Sequence, residues 1–237
     1  VTGVFDPQAA GIGTHVVNYT YTNQGNCTAH QSMQIVVNVP VAVNCGISSL
    51  VDIRDGQAYP TVQVGTRCWM AGNLNFGNMK AVSTHQTDNC EVEKYCLHNS
   101  VSNCTQYGGF YQWDELMRHD PVAGGQGLCP PGWHVPTEAD WTSLFTALGG
   151  QSVAGDELKN NVPGGFNVLT CGLNFQNNTW SFYPPGFSAT FFWTSETTSL
   201  PKIKSHGLNN AVSSVSDYFA GRENAFSVRC VFDNPVK

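Results

Sequence analysis

The sequence has little charge and no long apolar run. Asp, Glu, Lys and Arg make up only 12% of the 237 residues, where globular proteins usually have about 25%. The formal net charge is −6 and no run of Lys and Arg occurs, which excludes nucleic acid as a partner because phosphates require a basic surface. The most apolar stretch, Met33 to Val43, is too short to span a bilayer, which excludes membrane insertion.

Zinc-binding patterns and a secretion signal are also missing. The 9 cysteines form no CxxC pair, and no HxxxH spacing accompanies them, so disulfide bonds are the expected use and metal ligation is not. Disulfides indicate an oxidising compartment, hence a secreted, cell-surface or extracellular protein. The N-terminus lacks the basic flank and apolar core of a signal peptide, so we interpret the chain as a mature or truncated product.

Near the N-terminus the sequence alternates in the manner of a β-hairpin. Residues 14–22 and 33–39 are rich in β-branched and aromatic types, and the turn signal Gly25-Asn26 lies between them. A lone hairpin is marginal in water, so this segment needs a packing partner. We place the domain boundary near Cys45, with one domain over residues 1–44 and the other over residues 45–237.

The second domain combines short helices with short strands and long loops, which predicts the α+β class. The clearest helix follows Pro136, where Thr137 and Asp140 form a capping box and apolar residues recur with helical spacing as far as Gly149-Gly150. Shorter helices are predicted over residues 112–118 and 156–160. Strands are predicted over residues 166–175, 190–196 and 225–232, the last of them closing the sheet.

Six segments stand out in a fixed order. They are Asp52–Tyr59, Val64–Leu74, Tyr107–Trp113, Cys129–Trp141, Phe192–Glu196 and Phe226–Val231. This ordered series resembles the Fibrobacter succinogenes major paralogous domain, a family of exported bacterial surface modules, over roughly residues 50–233. The stretch Trp133–Trp141, together with the closing Val-Arg-Cys, is similar to the C-type-lectin-like superfold that formylglycine-generating enzymes share, which implies a fold but not a function.

Residues 1–43 contain the segments Phe5-Asp-Pro, Gly13-Thr-His-Val-Val-Asn-Tyr-Thr-Tyr and Gly25-Asn-Cys27. With these segments, this part of the chain resembles the second half of an immunoglobulin-like adhesin repeat. Half a sandwich leaves strand edges without partners, which a strand from another copy can complete. A truncated sequence explains the same pattern equally well. Both interpretations therefore stay open.

The cysteines predict two disulfides. Cys96 and Cys104 flank a short polar loop, and a bridge from Cys129 to Cys230 would tie the capped helix to the last strand across a loop of about 100 residues, which stabilises by roughly 4–5 kcal/mol in the chain-entropy model. The odd number leaves at least one thiol outside these pairs. The pairing of the others is open: Cys27, Cys45, Cys68, Cys90 and Cys171.

Two of these cysteines are also candidate nucleophiles, because formylglycine-generating enzymes use cysteine chemistry. Neither Cys68 nor Cys171 has an evident histidine or basic neighbour in sequence, so we expect no catalytic residue. We expect His134 to be a hydrogen-bonded structural histidine. The pair Asp114-Glu115 is expected to be either solvated helix surface or negative charge at a helix N-terminus.

No cofactor or metal is expected, with calcium as the one alternative. Asp52 and Asp55 with Gly56 resemble a calcium loop, but the spacing of EF-hand ligands is absent, so a turn held by Asx hydrogen bonds is the preferred interpretation. The Glu-Pro-Asn, Gln-Pro-Asp and Trp-Asn-Asp motifs by which C-type lectins hold calcium and sugar do not occur.

Two further groups of residues are candidates for contact with carbohydrate. Trp180 and Tyr183 lie in an aromatic-rich stretch and are candidates for stacking on sugar rings. Four Asn-x-Ser/Thr sequons are candidates for glycan attachment. They begin at Asn18, Asn26, Asn103 and Asn177.

These observations favour a non-enzymatic extracellular module for adhesion or polysaccharide binding. Its partners would be extracellular glycans, held in a shallow cleft lined by exposed aromatic and amide side chains. The alternative is the subunit of an extracellular fibre, a homopolymer in which copies of the chain exchange N-terminal strands. An enzyme of the formylglycine-generating type is a distant third.

Overall fold

The computed structural model describes residues 10, 13–22, 28–37, 44–160, 165–176, 179–183, 189–198 and 202–233. The chain divides into two units, Val1–Ala42 and Val43–Lys237. This division lies close to the boundary expected near Cys45. Within the described ranges, no helix has both the length and the apolar character needed to cross a membrane.

The first unit contains a two-stranded antiparallel sheet. Strand β1 (Gly13–Thr22) pairs with β2 (Thr28–Val37), from Gly13 opposite Val37 to Thr22 opposite Thr28. The second strand begins earlier than the expected residue 33 because the polar residues after Thr28 join the same ladder. Of the expected stretch 33–39, residues 38 and 39 lie outside the described residues. The immunoglobulin-like origin of the hairpin stays a prediction.

The second unit is built from many short strands. Four of them form the largest sheet, in the order β10-β17-β6-β5, and β13-β14-β15 form a three-stranded antiparallel sheet. The remaining strands pair as β3 with β4, β7 with β8, β9 with β16 and β11 with β12. The strands are β3 (Leu50–Val51), β4 (Ala58–Tyr59), β5 (Thr61–Val64), β6 (Arg67–Met70), β7 (Asn78–Met79), β8 (Glu93–Lys94), β9 (Tyr111–Gln112), β10 (Trp133–His134), β11 (Gly172–Gln176), β12 (Thr179–Tyr183), β13 (Ala189–Thr197), β14 (Ile203–Asn209), β15 (Val215–Ala220), β16 (Ala225–Phe226) and β17 (Val231–Phe232).

The helices of the second unit are short. The longest begins after Thr137, whose hydroxyl accepts from the Asp140 amide while the Asp140 carboxylate accepts from the Thr137 amide, which is the expected capping box. Gly149 and Gly150 follow this helix with positive φ. The helices are α1 (Val101–Tyr107), α2 (Trp113–Leu116), α3 (Glu138–Ala147) and α4 (Ala154–Lys159).

Helix α2 corrects two expectations. It is shorter than the predicted span of residues 112–118 because Arg118 and His119 adopt positive φ, which ends the helix. Asp114 and Glu115 lie in the first turn of α2, in agreement with one of the two interpretations. The other, a solvated surface, is wrong for Glu115, which is buried and accepts a hydrogen bond from the Glu93 backbone amide at 2.8 Å. Burial raises the pKa of Glu115. Its neighbour Asp114 pairs with Arg222.

The late strands differ from the sequence prediction. Only the end of the predicted strand 166–175 is extended in a ladder, as β11. The predicted strand 225–232 is interrupted between β16 and β17. There, Ser227 forms backbone hydrogen bonds with Phe191 and Trp193, Val228 with Leu74, and Cys230 with Met70. Strand β17 lies inside the four-stranded sheet, between β10 and β6, and not at its edge. Strands β14 and β15 are not anticipated by the sequence pattern.

Helix α3 packs between the two larger sheets through Trp141. Its ring lies 5.0 Å from that of Trp69 on β6 and 5.7 Å from that of Phe192 on β13, measured between centroids. Trp69, Trp113, Trp133, Trp141 and Trp193 are all fully buried. Several small sheets and few helices confirm the mixed α+β class, while the lectin-like assignment stays a proposal.

His134 connects the start of α3 to the end of β17. Its Nε2 lies 3.0 Å from Asp140 and its Nδ1 lies 2.8 Å from Asp233, in agreement with the structural role expected for it. Burial opposes the charged form, but the two carboxylates outweigh burial and raise the pKa of His134 to about 9. The same contacts, with a hydrogen bond from Thr137, lower the pKa of Asp140 to about 2 against the effect of its own burial.

We expect the stability of the protein to fall as the pH rises between about 6.5 and 9. The pKa of His134 is higher in the folded state than its ordinary 6.5, so its contribution is complete below that value and is lost as the pH passes through 9. The loss should be roughly 1–3 kcal/mol, measured by urea unfolding at intervals across this range. His134→Gln should remove most of this pH-dependent loss of stability. The control variant His119→Gln should show the same loss as wild type. A wild-type curve that is flat across the range would contradict the assignment.

Candidate functional site

A cleft of about 190 Å³ opens on the second unit. Its walls come from four parts of the chain, and Arg229 forms part of its lining as well. We call it the Arg229 cleft. The four wall segments lie at residues 57–60, 71–75, 104–108 and 167–169.

A disulfide and a close backbone contact position the wall formed by α1. Cys104 is bonded to Cys96, so the end of α1 is tied to the chain that precedes the helix. Gly108 has a φ of 80°, and a Cβ there would lie 2.5 Å from the Cβ of Asn73. Only glycine permits this approach. The Asn73 amide group then donates to the carbonyl of Tyr107 at 2.8 Å, which joins two walls of the cleft.

Among the described residues, the groups that hold Arg229 are neutral. Its Nε donates to the Asn73 side-chain oxygen at 2.9 Å, its Nη2 donates to the Asn167 carbonyl at 3.1 Å, and its Nη1 donates to the Phe166 carbonyl. The guanidinium also lies 4.5 Å from the ring centroid of Phe166 and 5.7 Å from that of Phe192. Arg229 is 2% exposed, and burial lowers its pKa to about 9. The charge persists at neutral pH.

The rest of the lining is polar and uncharged or weakly apolar. Gln57 and Gln106 are exposed, Asn75 and Tyr107 are half-buried, and Tyr59 is buried. The backbone N–H of Asn75 donates to the Tyr59 hydroxyl at 3.0 Å. The Asn75 side-chain oxygen is buried and accepts no hydrogen bond from any described residue. The binding hypothesis predicts exposed aromatic and amide side chains; the cleft has exposed amides, but its two tyrosines are buried or half-buried.

A second cluster of chemistry-bearing side chains joins α3 to the three-stranded sheet. Glu138 and Asp217 lie on either side of the His206 imidazole, at 3.0 and 3.3 Å, and the ligand atoms of the three residues lie within 4.8 Å of one another. Lys204 bonds to both carboxylates, at 2.5 and 3.0 Å. Its ammonium lies between the carboxylates, so the cluster forms an ion network, in which the buried Nδ1 atom of His206 has no hydrogen-bond partner among the described residues.

This network shifts the pKa of each partner of Lys204. Burial opposes ionisation of Glu138 and Asp217, but Lys204 and His206 outweigh burial and lower both pKa values. The carboxylates in turn raise the pKa of Lys204 against the effect of burial. The sequence analysis missed the network because strand β14 was not recognised. The spacing of Lys204 and His206 is the signal that could have revealed it, since residues two apart in a strand share a face.

The cysteines of the second unit are mostly in disulfides. The bonds join Cys96 to Cys104 and Cys129 to Cys230, the two expected pairs, and also join Cys45 to Cys68. The proposal of Cys68 as a nucleophile is therefore wrong, because its sulfur is in a disulfide. Cys171 is a free thiol, but burial raises its pKa to about 12, which opposes formation of a thiolate.

The second free thiol among the described residues is Cys90, which the sequence analysis did not consider as a nucleophile. It is an exposed thiol beside a second hollow of about 260 Å³, which Glu115 and His119 also line. The Nε2 atom of His119 is 3.9 Å from the carboxylate of Glu115. Cys27 lies outside the described residues.

The suggested calcium loop is instead a turn. The Asp52 carboxylate is buried and accepts from the amide, Nε and Nη2 of Arg54, so its oxygens are already used. Asp55 accepts from the Gln57 amide at 2.9 Å. Both contacts span two residues, as Asx hydrogen bonds do.

The candidate sugar-stacking residues cannot be placed relative to the cleft. The backbones of Trp180 and Tyr183 form part of β12, but their side chains lie outside the described residues. Among the sequons, Asn18 is exposed and accepts from Ser32, whereas the Asn103 amide group donates to the Leu97 carbonyl at 2.8 Å. Asn26 and Asn177 lie outside the described residues.

Comparison with known proteins places the second unit in a family. The model of the Fibrobacter succinogenes major domain matches residues 62–231. The chain belongs to this family. The match confirms the resemblance inferred from the six segments, and it includes three walls of the Arg229 cleft and Arg229 itself. Neither the curated proteins nor the solved structures gave a match to the chain.

Removing the ammonium of Lys204 tests the ion network. We expect Lys204→Met to lose about 1–2 kcal/mol of unfolding free energy at pH 7, because two carboxylates and a buried histidine would lose their shared cation. The carboxylate pKa values are lowered on folding, so the difference from wild type should shrink as the pH falls below about 4.

The matched control is Lys202→Met. Lys202 is an exposed lysine two residues earlier, and no ion pair involving it occurs in the described chain. This variant should unfold like wild type at both pH values. Equal stabilities for the two variants at pH 7 would overturn the assignment of the network.

Proposed function

We propose that the chain is a secreted or cell-surface module that binds polysaccharide through the Arg229 cleft, and that its role is adhesion and not catalysis. Three disulfides within the described chain fit an extracellular protein. Cys68 is in a disulfide and Cys171 is a buried thiol with a raised pKa, so neither offers an accessible thiolate. An enzyme of the formylglycine-generating type is therefore the weaker proposal.

The chemistry of the lining supports a sugar ligand. Saccharide hydroxyls both donate and accept hydrogen bonds, and an amide side chain can do the same. Gln57, Asn75 and Gln106 bring such groups from three separate segments to one cleft. The segments are fixed by a disulfide and by hydrogen bonds, so little conformational entropy would be lost on binding.

The buried oxygen of Asn75 is the observation that carries the proposal. A buried acceptor without a partner costs roughly 1–3 kcal/mol, and such groups are rare in folded proteins. The Asn75 oxygen has this character and belongs to a residue that lines the cleft. A donor hydroxyl on a bound sugar would recover that cost.

A steric block tests the proposal without disturbing the hydrogen bonds of the cleft. Gly72 lines the cleft, and a Cβ there would meet only Pro60, at an ordinary contact distance of 3.7 Å. Gly72→Phe should fold but fill the cleft, and should weaken polysaccharide binding by at least about tenfold. Binding is measured by titration against a panel of immobilised neutral and acidic polysaccharides, with thermal unfolding as the check on folding.

Gly72→Ala is the matched control, because it adds only the methyl group that the site accommodates. It should bind within about twofold of wild type. Wild-type protein that binds nothing in the panel, or Gly72→Phe that binds as well as wild type, would refute binding at this cleft.

The fibre subunit is a second proposal, supported by the two faces of the hairpin. Val17, Met33 and Ile35 share one face, since Val17 is opposite Met33 in the ladder and strand side chains alternate. The other face is mainly polar, as at Ser32 and Gln34. Met33 is 60% exposed. Strands from a second copy could extend the sheet and cover this apolar face.

Adjacent residues on opposite faces give a clean test of assembly. Met33→Lys should abolish concentration-dependent assembly, because it puts a charge on the apolar face, while Gln34→Lys should leave assembly unchanged. The mass in solution is measured by light scattering over a range of protein concentrations. A wild-type protein that remains monomeric at every concentration would rule out the fibre.

A further inference from the structure

Arg229 differs from the other partly or fully buried arginines in having no acidic partner. Arg54 pairs with Asp52, Arg67 with Asp140 and Arg222 with Asp114. Arg229 is the most buried of the four, yet within the described ranges no carboxylate pairs with it. Those ranges include every acidic side chain of the chain except that of Asp6.

The absence of a partner is unexpected for a chain with this composition. Acidic side chains outnumber basic ones by 17 to 11, so a counter-charge could readily have been placed nearby. Burial alone accounts for the lowered pKa of Arg229, which means that no nearby carboxylate acts on it to raise the pKa. A buried charge without a counter-charge costs free energy that the fold must supply elsewhere.

The cleft concentrates this positive charge. Among its described lining residues, Arg229 is the single charged side chain. A guanidinium carries five N–H donors, and the contacts with Asn73, Phe166 and Asn167 use three of them. Two N–H donors of the guanidinium therefore have no hydrogen-bond partner among the described residues. The three existing bonds fix the orientation of the guanidinium plane before any ligand arrives.

We propose that the saccharide bound in the Arg229 cleft is acidic, and that a carboxylate of a uronic acid pairs with the Arg229 guanidinium. This inference rests on the proposed binding function and specifies its ligand class. A planar carboxylate matches the fork of a guanidinium and forms charge-assisted hydrogen bonds with it. The neighbouring amides would bind the hydroxyls of the same sugar. The ligand would supply the counter-charge that the protein lacks.

The test compares one oligosaccharide in three chemical forms. Oligogalacturonate, its carboxyl-reduced form and its methyl ester have the same backbone and differ in charge. We expect the dissociation constant to rise at least about tenfold when the carboxyl groups are reduced or esterified. The affinity for the acidic form should fall with added salt, because part of it is electrostatic.

Protein variants check that the charge effect arises at this cleft. Gly72→Phe should lose binding to the acidic oligosaccharide, whereas Arg118→Gln, which removes an exposed arginine outside the cleft, should not. Arg229→Lys should retain charge but lose the paired geometry, and so bind several-fold more weakly. Since a variant at position 229 could unfold, the comparison of ligands on wild-type protein carries the test by itself.

The outcomes separate the inference from the proposed function. Equal affinity for the acidic and the reduced forms, lost in Gly72→Phe, would overturn the inference and leave polysaccharide binding intact. Acidic binding that survives Gly72→Phe would place the charge effect elsewhere and also overturn the inference. A sulfated oligosaccharide that binds as tightly as the carboxylated one would overturn the assignment to a carboxylate. No binding of any form would refute both proposals.

Discussion

The second unit depends on the connections made by a single short segment near its end, Val228–Val231. The Val228 carbonyl accepts from the Leu74 amide and the Cys230 carbonyl accepts from the Met70 amide. The Cys230 sulfur is bonded to a cysteine 101 residues earlier. Val231 then pairs with strands on both sides within the four-stranded sheet. Most strands of this unit have only two to seven residues, so local ladders contribute little stability, and a segment that joins distant parts of the chain has a correspondingly large effect.

The same segment also shapes the candidate site. With Val228 and Cys230 fixed by backbone bonds on either side, Arg229 has little freedom in where its side chain leaves the backbone. The guanidinium is thereby brought to the wall segments around Asn73 and Asn167. Structure and binding are thus coupled at one position, and a loss of function on replacing Arg229 would have two explanations. The structural role and the binding role of Arg229 can be separated by changing the ligand or by changing Gly72. Gly72 lines the cleft and forms no backbone hydrogen bond with a described residue.

Local signals made part of this molecule predictable. The capping box of Thr137 and Asp140, followed by helical spacing of apolar residues, predicted α3, and alternation predicted β1. Strand β14 was missed because its inward-facing Lys204 and His206 are polar and resemble a loop until their carboxylate partners on other elements are known. The burial of Glu115 was missed for the same reason, since its partner is a backbone amide from a remote segment. The cleft escaped prediction because its walls come from separate parts of the chain.

The distribution of charge links these observations. A chain with so few charged residues can pair nearly all of its buried ones, and Asp140, Glu138 and Glu115 each have partners that are well placed. Arg229 departs from this pattern at the position where the backbone is held most firmly. A fold can tolerate an uncompensated charge only where surrounding interactions fix the group, and such departures are expected at functional sites more than elsewhere. The backbone bonds of Val228–Val231 therefore help to hold this arginine, buried and charged, in the lining of the cleft without a carboxylate partner among the described residues.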